Sequence, residues 1–267
     1  MESERVKLVV TTPHLDSAEA SELARALACR IGSPFTPRRG RSSPRFLRDE
    51  EANLMVVVKA GEIAFEDGSA RHGFHPNMAK HRIVALQSGG RDRLVDAAGI
   101  GAGDRVLDCT CGLAADAMVL SHAVGKRGRV CALEASPLLA AMVSCGLAHY
   151  HHRNENLVSA MRRVRVIDES YTTFLKGEAD NSWDVVYFDP MFEETIEGTK
   201  GLDGVRVLAE SGVPDALILA EARRVAKRCV VVKDRRPGEY LNAMGIPIVS
   251  DVQKVWFGRL DGLGDLG

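Results

Sequence analysis

Five short aliphatic runs, at 105–109, 130–133, 164–167, 185–188 and 229–233, are separated by stretches long enough to hold helices. Parallel strands cannot be joined by a tight hairpin. They need a crossover of about a dozen residues or more, usually helical. The spacing therefore predicts an α/β fold with a mostly parallel sheet from residue 91 onward. Helices are expected near 115–123, 137–150 and 214–226, with Pro214 in the first turn of the last. Residues 91–98 read as a lead-in helix. Runs at 246–249 and 252–257 read as two closing strands joined by a tight turn, which brings the sheet to seven strands.

Residues 1–90 have a different texture and read as a small α+β N-terminal appendage, leaving 91–267 as the main domain. A strand is expected at 6–10. A helix capped by Asp16 or Ser17 should run through Cys29, with Leu23 and Leu27 at i, i+4. Residues 32–48 are rich in Pro, Gly, Ser and Arg and read as a loop. Strands at 54–58 and 62–65 and a helix at 77–86 follow, and Gly89-Gly90 breaks the chain before the second domain.

No apolar run reaches the ~18–20 residues of a membrane span. The start, Met1-Glu2-Ser3-Glu4-Arg5, lacks a signal pattern, so the cytoplasm is the expected compartment. The six cysteines lie mostly in apolar elements and read as reduced hydrophobes. Cys109 and Cys111 have no second pair to complete a zinc set, so no metal site is expected. Net charge is −1, so a nucleic-acid partner requires a local basic patch. Arg38, Arg39, Arg41, Arg45 and Arg48 in the loop, with Lys80, His81 and Arg82 beyond it, are the candidates for gripping RNA. Aromatic residues make up 5%, which argues against a broad base-stacking platform.

Two strand ends carry the chemistry. The first strand runs into Asp108-Cys109-Thr110-Cys111-Gly112-Leu113-Ala114-Ala115-Asp116. A glycine there lets backbone approach a ligand closely, and the N–H groups of the following helix attract a carboxylate. Asp108 suits a ligand ammonium. Thr110 and Asp116 complete the loop, Asp116 favouring the helix dipole. Glu134 ends the next strand, where an acidic side chain accepts from ribose hydroxyls. Dinucleotide enzymes share these features but carry G-x-G-x-x-G, which this chain lacks; S-adenosylmethionine (SAM) is the better fit. Asp168, ending the third strand, either accepts from the adenine amine or caps the next helix.

The second strand end is Val186-Tyr187-Phe188-Asp189-Pro190-Met191-Phe192. In open α/β sheets, ligands bind at the carboxyl ends of strands. Asp189 and the carbonyl of Asp189 or Pro190 are placed to accept the hydrogens of a planar amine, and Phe192 to stack on its ring. The lone pair of an aromatic amine is delocalised, and two acceptors on its hydrogens localise it where charge develops. Asp and Pro also favour turns, so the motif draws weight from its spacing after the first loop. Lys233, at the end of a neighbouring strand, either orients the acceptor, contacts phosphate or is a solvated surface charge.

These segments, with Val230-Val231-Val232-Lys233 and Met78-Ala79-Lys80-His81-Arg82, resemble the small-subunit ribosomal RNA guanine-N2 methyltransferase J family and its relatives, over roughly 75–260. The resemblance implies a class I SAM-methyltransferase (Rossmann-like) seven-stranded sheet, SAM as methyl donor, and a guanine amine in ribosomal RNA as acceptor. Ala114 and Ala115 stand where the family has Gly and Arg, which leaves a non-catalytic SAM-binding module open. Glu193, Glu194 and Glu197 follow the acceptor motif where the family is basic, which favours another acceptor: DNA, transfer RNA or a small molecule.

Overall fold

The computed structural model describes residues 7–13, 17–190 and 212–265. In chain order the first elements are β1 (Leu8–Thr11), α1 (Ala18–Arg30), α2 (Ser43–Asp49), β2 (Leu54–Lys59), β3 (Glu62–Glu66), β4 (Arg71–Gly73), α3 (Asn77–Gln87) and α4 (Arg93–Ala98). Then come β5 (Arg105–Asp108), α5 (Ala115–Val124), β6 (Arg129–Glu134), α6 (Pro137–His149), α7 (Glu155–Arg163), β7 (Val164–Asp168), α8 (Tyr171–Gly177) and β8 (Trp183–Phe188). Last are α9 (Ala216–Val225), β9 (Ala226–Arg235), α10 (Glu239–Ala243), β10 (Ile248–Ser250) and β11 (Val255–Asp261). Among the described residues no helix is long and apolar enough to cross a membrane.

Contacts divide the chain into two compact units, and the first takes residues up to His75 together with α6. Its sheet has the order β1-β2-β3-β4, with β1 parallel to β2 and the rest antiparallel. Ser17 caps α1 by accepting from the Ala20 N–H at 3.1 Å. Leu27 is buried, whereas Leu23 is exposed. The stretch read as a loop at 32–48 holds the short helix α2. Pro44 occupies its first turn, and Phe46 and Leu47 are buried with Val9, Met55 and Val57. So short a helix does not form on propensity alone. Its buried pair holds it, which a local reading of Pro, Ser and Arg does not reveal.

The second unit runs from Pro76 onward without α6, and so contains α3. Its seven-stranded sheet has the order β10-β11-β9-β8-β5-β6-β7. The pairs among β9, β8, β5, β6 and β7 are parallel; β11 runs antiparallel to β9, and β10 antiparallel to β11. This is the expected α/β sheet. Val186, Phe188, Val230 and Val232 form its centre, covered by Leu175 of α8 and Leu219, Ala222 and Val225 of α9. The lead-in helix starts at Arg93 rather than Arg91, because the Asp92 carboxylate accepts from the Leu94 and Val95 N–H groups. Pro214 lies outside its helix: Asp215 is the cap, accepting from Ile218 N–H at 2.8 Å, and α9 begins at Ala216. The closing strands sit later than expected, because Ile246 is buried in the core and Gln253 turns the chain at φ +63°. Helix α8 is the one expected after the third strand, capped by Ser170; α7 and α10 went unforeseen, both short, and Asn154 caps the first.

Candidate active site

From β5 the chain builds outward through β6 and β7, then crosses back to place β8 on the other side of β5. The order reverses between β5 and β8, and the crevice at their carboxyl ends is where such sheets bind ligands. Asp108 and Asp189 stand at these two ends.

The loop after β5 is stitched to both neighbouring strands. Cys109 N–H donates to the Tyr187 carbonyl at 2.8 Å and Cys111 N–H to the Leu133 carbonyl at 2.9 Å. The Asp108 Oδ1 atom accepts from Thr110 N–H at 3.0 Å. Its Oδ2 atom is buried with no hydrogen-bond partner among the described residues. Burial, only partly offset by the Thr110 amide, pushes this carboxyl up to about 8. An orphaned buried oxygen is costly unless a ligand donor meets it, and the ammonium of an amino-acid moiety is such a donor. Gly112 has φ +50° and open space where a Cβ would stand. Its N–H donates to Glu134 Oε2 at 3.0 Å, tying the loop to the end of β6. Glu134 pairs in register with Asp168, so two acidic strand ends lie side by side. Ser170 caps α8, which removes the capping role left open for Asp168. The residues present are compatible with SAM: its ammonium would meet Asp108, its carboxylate the start of α5, and its adenosine Glu134 and Asp168. Burial drives the Cys109 and Cys111 thiols well above their ordinary range, so both remain protonated.

Ala114 leads into α5 with φ +59° and ψ 22°, the left-handed shape glycine adopts freely. An alanine there costs about 1–2 kcal/mol, yet the loop keeps that shape. Ala114 is fully buried. Ala114→Val adds β-branching to a buried left-handed residue and should destabilise by roughly 2–3 kcal/mol. An unchanged thermal midpoint would refute the strain.

Thr110 also joins the two loops, its Oγ1 accepting from Asp189 N–H at 2.6 Å. Asp189 Oδ2 accepts from Lys233 Nζ at 2.7 Å, while Oδ1 has no hydrogen bond within the described residues. Lys233 also reaches Asp116 Oδ2 at 3.2 Å, so it is an inward partner of two carboxylates rather than a solvated charge. Asp116, expected beside the cofactor, has both oxygens engaged. Tyr187 Oη donates to it at 2.9 Å and Arg82 Nη1 completes the set. Against its burial, Lys233 and Arg82 hold the Asp116 carboxyl at about 2. Arg82 grips Asp92 with two further bonds, at 2.7 and 2.9 Å. Burial raises the Asp189 carboxyl despite Lys233, and keeps Tyr187 protonated. Pro190 is buried at the end of the motif. Phe192 and the acidic Glu193, Glu194 and Glu197 lie outside the described residues.

Two corrections concern basic residues. Arg82 is an internal partner of Asp92 and Asp116, not a phosphate contact. In the first unit, Arg38 bonds Ser43 and the Arg41 carbonyl and lies near Glu66, and Arg41 bonds Asp49 and Glu50. Both guanidinium groups are thus partnered by carboxylates of the same unit. Sequence reasoning missed Tyr187 and Asp92 in the network; nothing local marks a strand tyrosine or a helix cap as a partner of a distant carboxylate.

Residues 45–257 match a family of SAM-dependent methyltransferases. The uncharacterized protein YpiP of Bacillus subtilis (strain 168) is 36% identical over 242 residues, 91% of this chain and 94% of YpiP. Ribosomal RNA small subunit methyltransferase J of Nitrosococcus oceani is 29% identical over 237 residues, 85% of this chain and 88% of that protein. A crystal structure of a SAM-dependent methyltransferase from Neisseria gonorrhoeae shares the fold over 96% of each chain, with a TM-score of 0.61 at 18% identity. The matched span contains every strand of the crevice and the loop after β5. The chain accordingly belongs to the SAM-dependent methyltransferase family, with S-adenosylmethionine as its cofactor.

Proposed function

We propose that the acceptor is an exocyclic nucleobase amine, specifically guanine N2 in small-subunit ribosomal RNA. The observation that carries this reading is Asp189: its Oδ2 is fixed by Lys233, its backbone by Thr110, and its Oδ1 has no hydrogen-bond partner among the described residues. Bound SAM supplies an electrophilic methyl on a sulfonium. The protein's part is to present the nitrogen. Asp189 Oδ1 and the carbonyl of Asp189 or Pro190 accept the two amine hydrogens, drawing the nitrogen toward a tetrahedral shape. Lys233 and Thr110 fix the carboxylate in place, and such positioning supplies up to roughly 7–11 kcal/mol of a barrier when ideal. Asp92, Asp116 and Asp189 face Arg82 and Lys233, three carboxylates against two cations. The resemblance to the J-type ribosomal enzymes supports guanine N2. The acidic run Glu193, Glu194 and Glu197 favours a second reading, in which the acceptor is DNA, transfer RNA or a small molecule.

The test is incubation with methyl-labelled SAM and, separately, unmodified small ribosomal subunits, total RNA, DNA and metabolites. Label at guanine N2 of small-subunit RNA is expected. Label in DNA or a metabolite alone would move the acceptor to the second reading.

A further inference from the structure

Five arginines and a lysine cluster at the amino ends of β5, β6 and β7, the end of the sheet opposite Asp108 and Asp189. Arg105, Lys126, Arg127, Arg129, Arg162 and Arg165 are all exposed. Three of them form a row. Arg105 opens β5 directly across from Arg129, which opens β6, and Arg165 of β7 pairs with Cys131, two residues beyond Arg129. Side chains alternate along a strand, so the three share one sheet face. Like charges set side by side across strands destabilise a sheet, and the acidic residues nearby are fewer than the six cations: Asp184 accepts from the Arg105 N–H at 2.7 Å. Asp104 is bound to Arg228, and Glu178 accepts from Trp183 and Ser182. Arg105 lies over the Trp183 ring, 5.3 Å from its centroid, which holds the head of the row in place.

We propose that this edge binds the phosphate backbone of RNA, a second contact remote from the methyl-transfer crevice. The inference rests on the RNA reading above and extends it. Guanidinium forks match phosphate oxygens bidentately, and five of the six residues are arginine. None of the large exposed hydrophobic side chains lies at 105, 126–129 or 162–165. A protein partner needs apolar anchors in the centre of its interface, so the surface fits a polyanion better than an acidic protein. A six-residue strand such as β6 spans roughly 20 Å. One short single strand therefore does not serve both ends, whereas a folded RNA helix beside a flipped-out base does. The arginines of the first unit first thought to grip RNA are partly consumed by internal ion pairs, which shifts the electrostatic role to this edge.

The experiment compares wild type with the double variant Arg129→Glu/Arg165→Glu. Binding of a fluorescent small-subunit RNA fragment is followed by anisotropy over a salt series, alongside methyl transfer and SAM affinity. Both positions are exposed, and retained SAM affinity shows that the variant is folded. The expected result is RNA binding weakened roughly tenfold or more and a salt dependence shallower by about two charges. The KM for RNA should rise while kcat holds. Equal affinity and slope in the two proteins overturn the inference, as does wild type failing to bind RNA or the edge capturing an acidic protein in its place. RNA binding through this edge without RNA methylation refutes the acceptor reading alone and leaves the edge standing.

Discussion

Asp189→Ala is expected to cut methyl transfer by about 10²–10³ while SAM affinity stays within about twofold. Removing one preorganised polar group aimed at developing charge costs that much in other enzymes. Here the carboxylate is held on three sides: Lys233 on Oδ2, Thr110 on the backbone N–H, and the buried Pro190 after it. The Thr110 bond uses the main chain and survives the substitution, so the cofactor loop keeps its anchor. Asp189→Asn retains an acceptor oxygen but breaks the pairing with Lys233, and should fall between wild type and Ala. The measurement is single-turnover methyl transfer beside SAM titration by calorimetry. A parallel loss of SAM binding would place Asp189 in the cofactor site. Undiminished turnover would remove it from the chemistry.

Asp116→Ala should be the most destabilising single change at the site, by roughly 3–5 kcal/mol. The carboxylate joins Arg82, Tyr187 and Lys233, and its side chain is only 13% exposed. Its loss leaves two cations without their shared partner in a desolvated setting, a much larger penalty than a surface ion pair carries. Against a total of about 5–15 kcal/mol for a folded domain, this is a large fraction. The same group gives a pH signature. The folded carboxyl sits at about 2 against an ordinary 3.8. Its stabilisation is therefore fully present above about pH 4 and is lost as pH falls toward 2. Urea unfolding at pH 7 and through the acid range checks both points. Asp116→Ala should be weaker at pH 7 and should lose less stability on acidification. A change under about 1 kcal/mol at neutral pH would show that Arg82 and Lys233 find other partners.

The sequence by itself determined the alternation of strands and helices, the α/β class, and which residues close each strand. Those are local properties. A run of valines bounded by an aspartate and a glycine or proline ends where the apolar pattern stops, and its last side chain must then lie at a sheet edge. Asp108, Glu134, Asp168 and Asp189 were legible for that reason: the first three close β5, β6 and β7, and Asp189 directly follows β8. Short helices escaped, because α2 and α7 are held by buried residues rather than by propensity. Only the tertiary structure decided which charge meets which. Arg82 and Asp116 are 34 residues apart, Tyr187 and Asp116 71, and Lys233 and Asp116 117. Nothing in hydrophobic periodicity encodes those meetings. They follow from the reversal of strand order between β5 and β8, which brings the ends of β5, β8 and β9 together and leaves buried carboxylates that must be paired. The same packing turned Lys233 inward and took Arg82 from the surface, while aligning Arg105, Arg129 and Arg165 at the far end of the sheet.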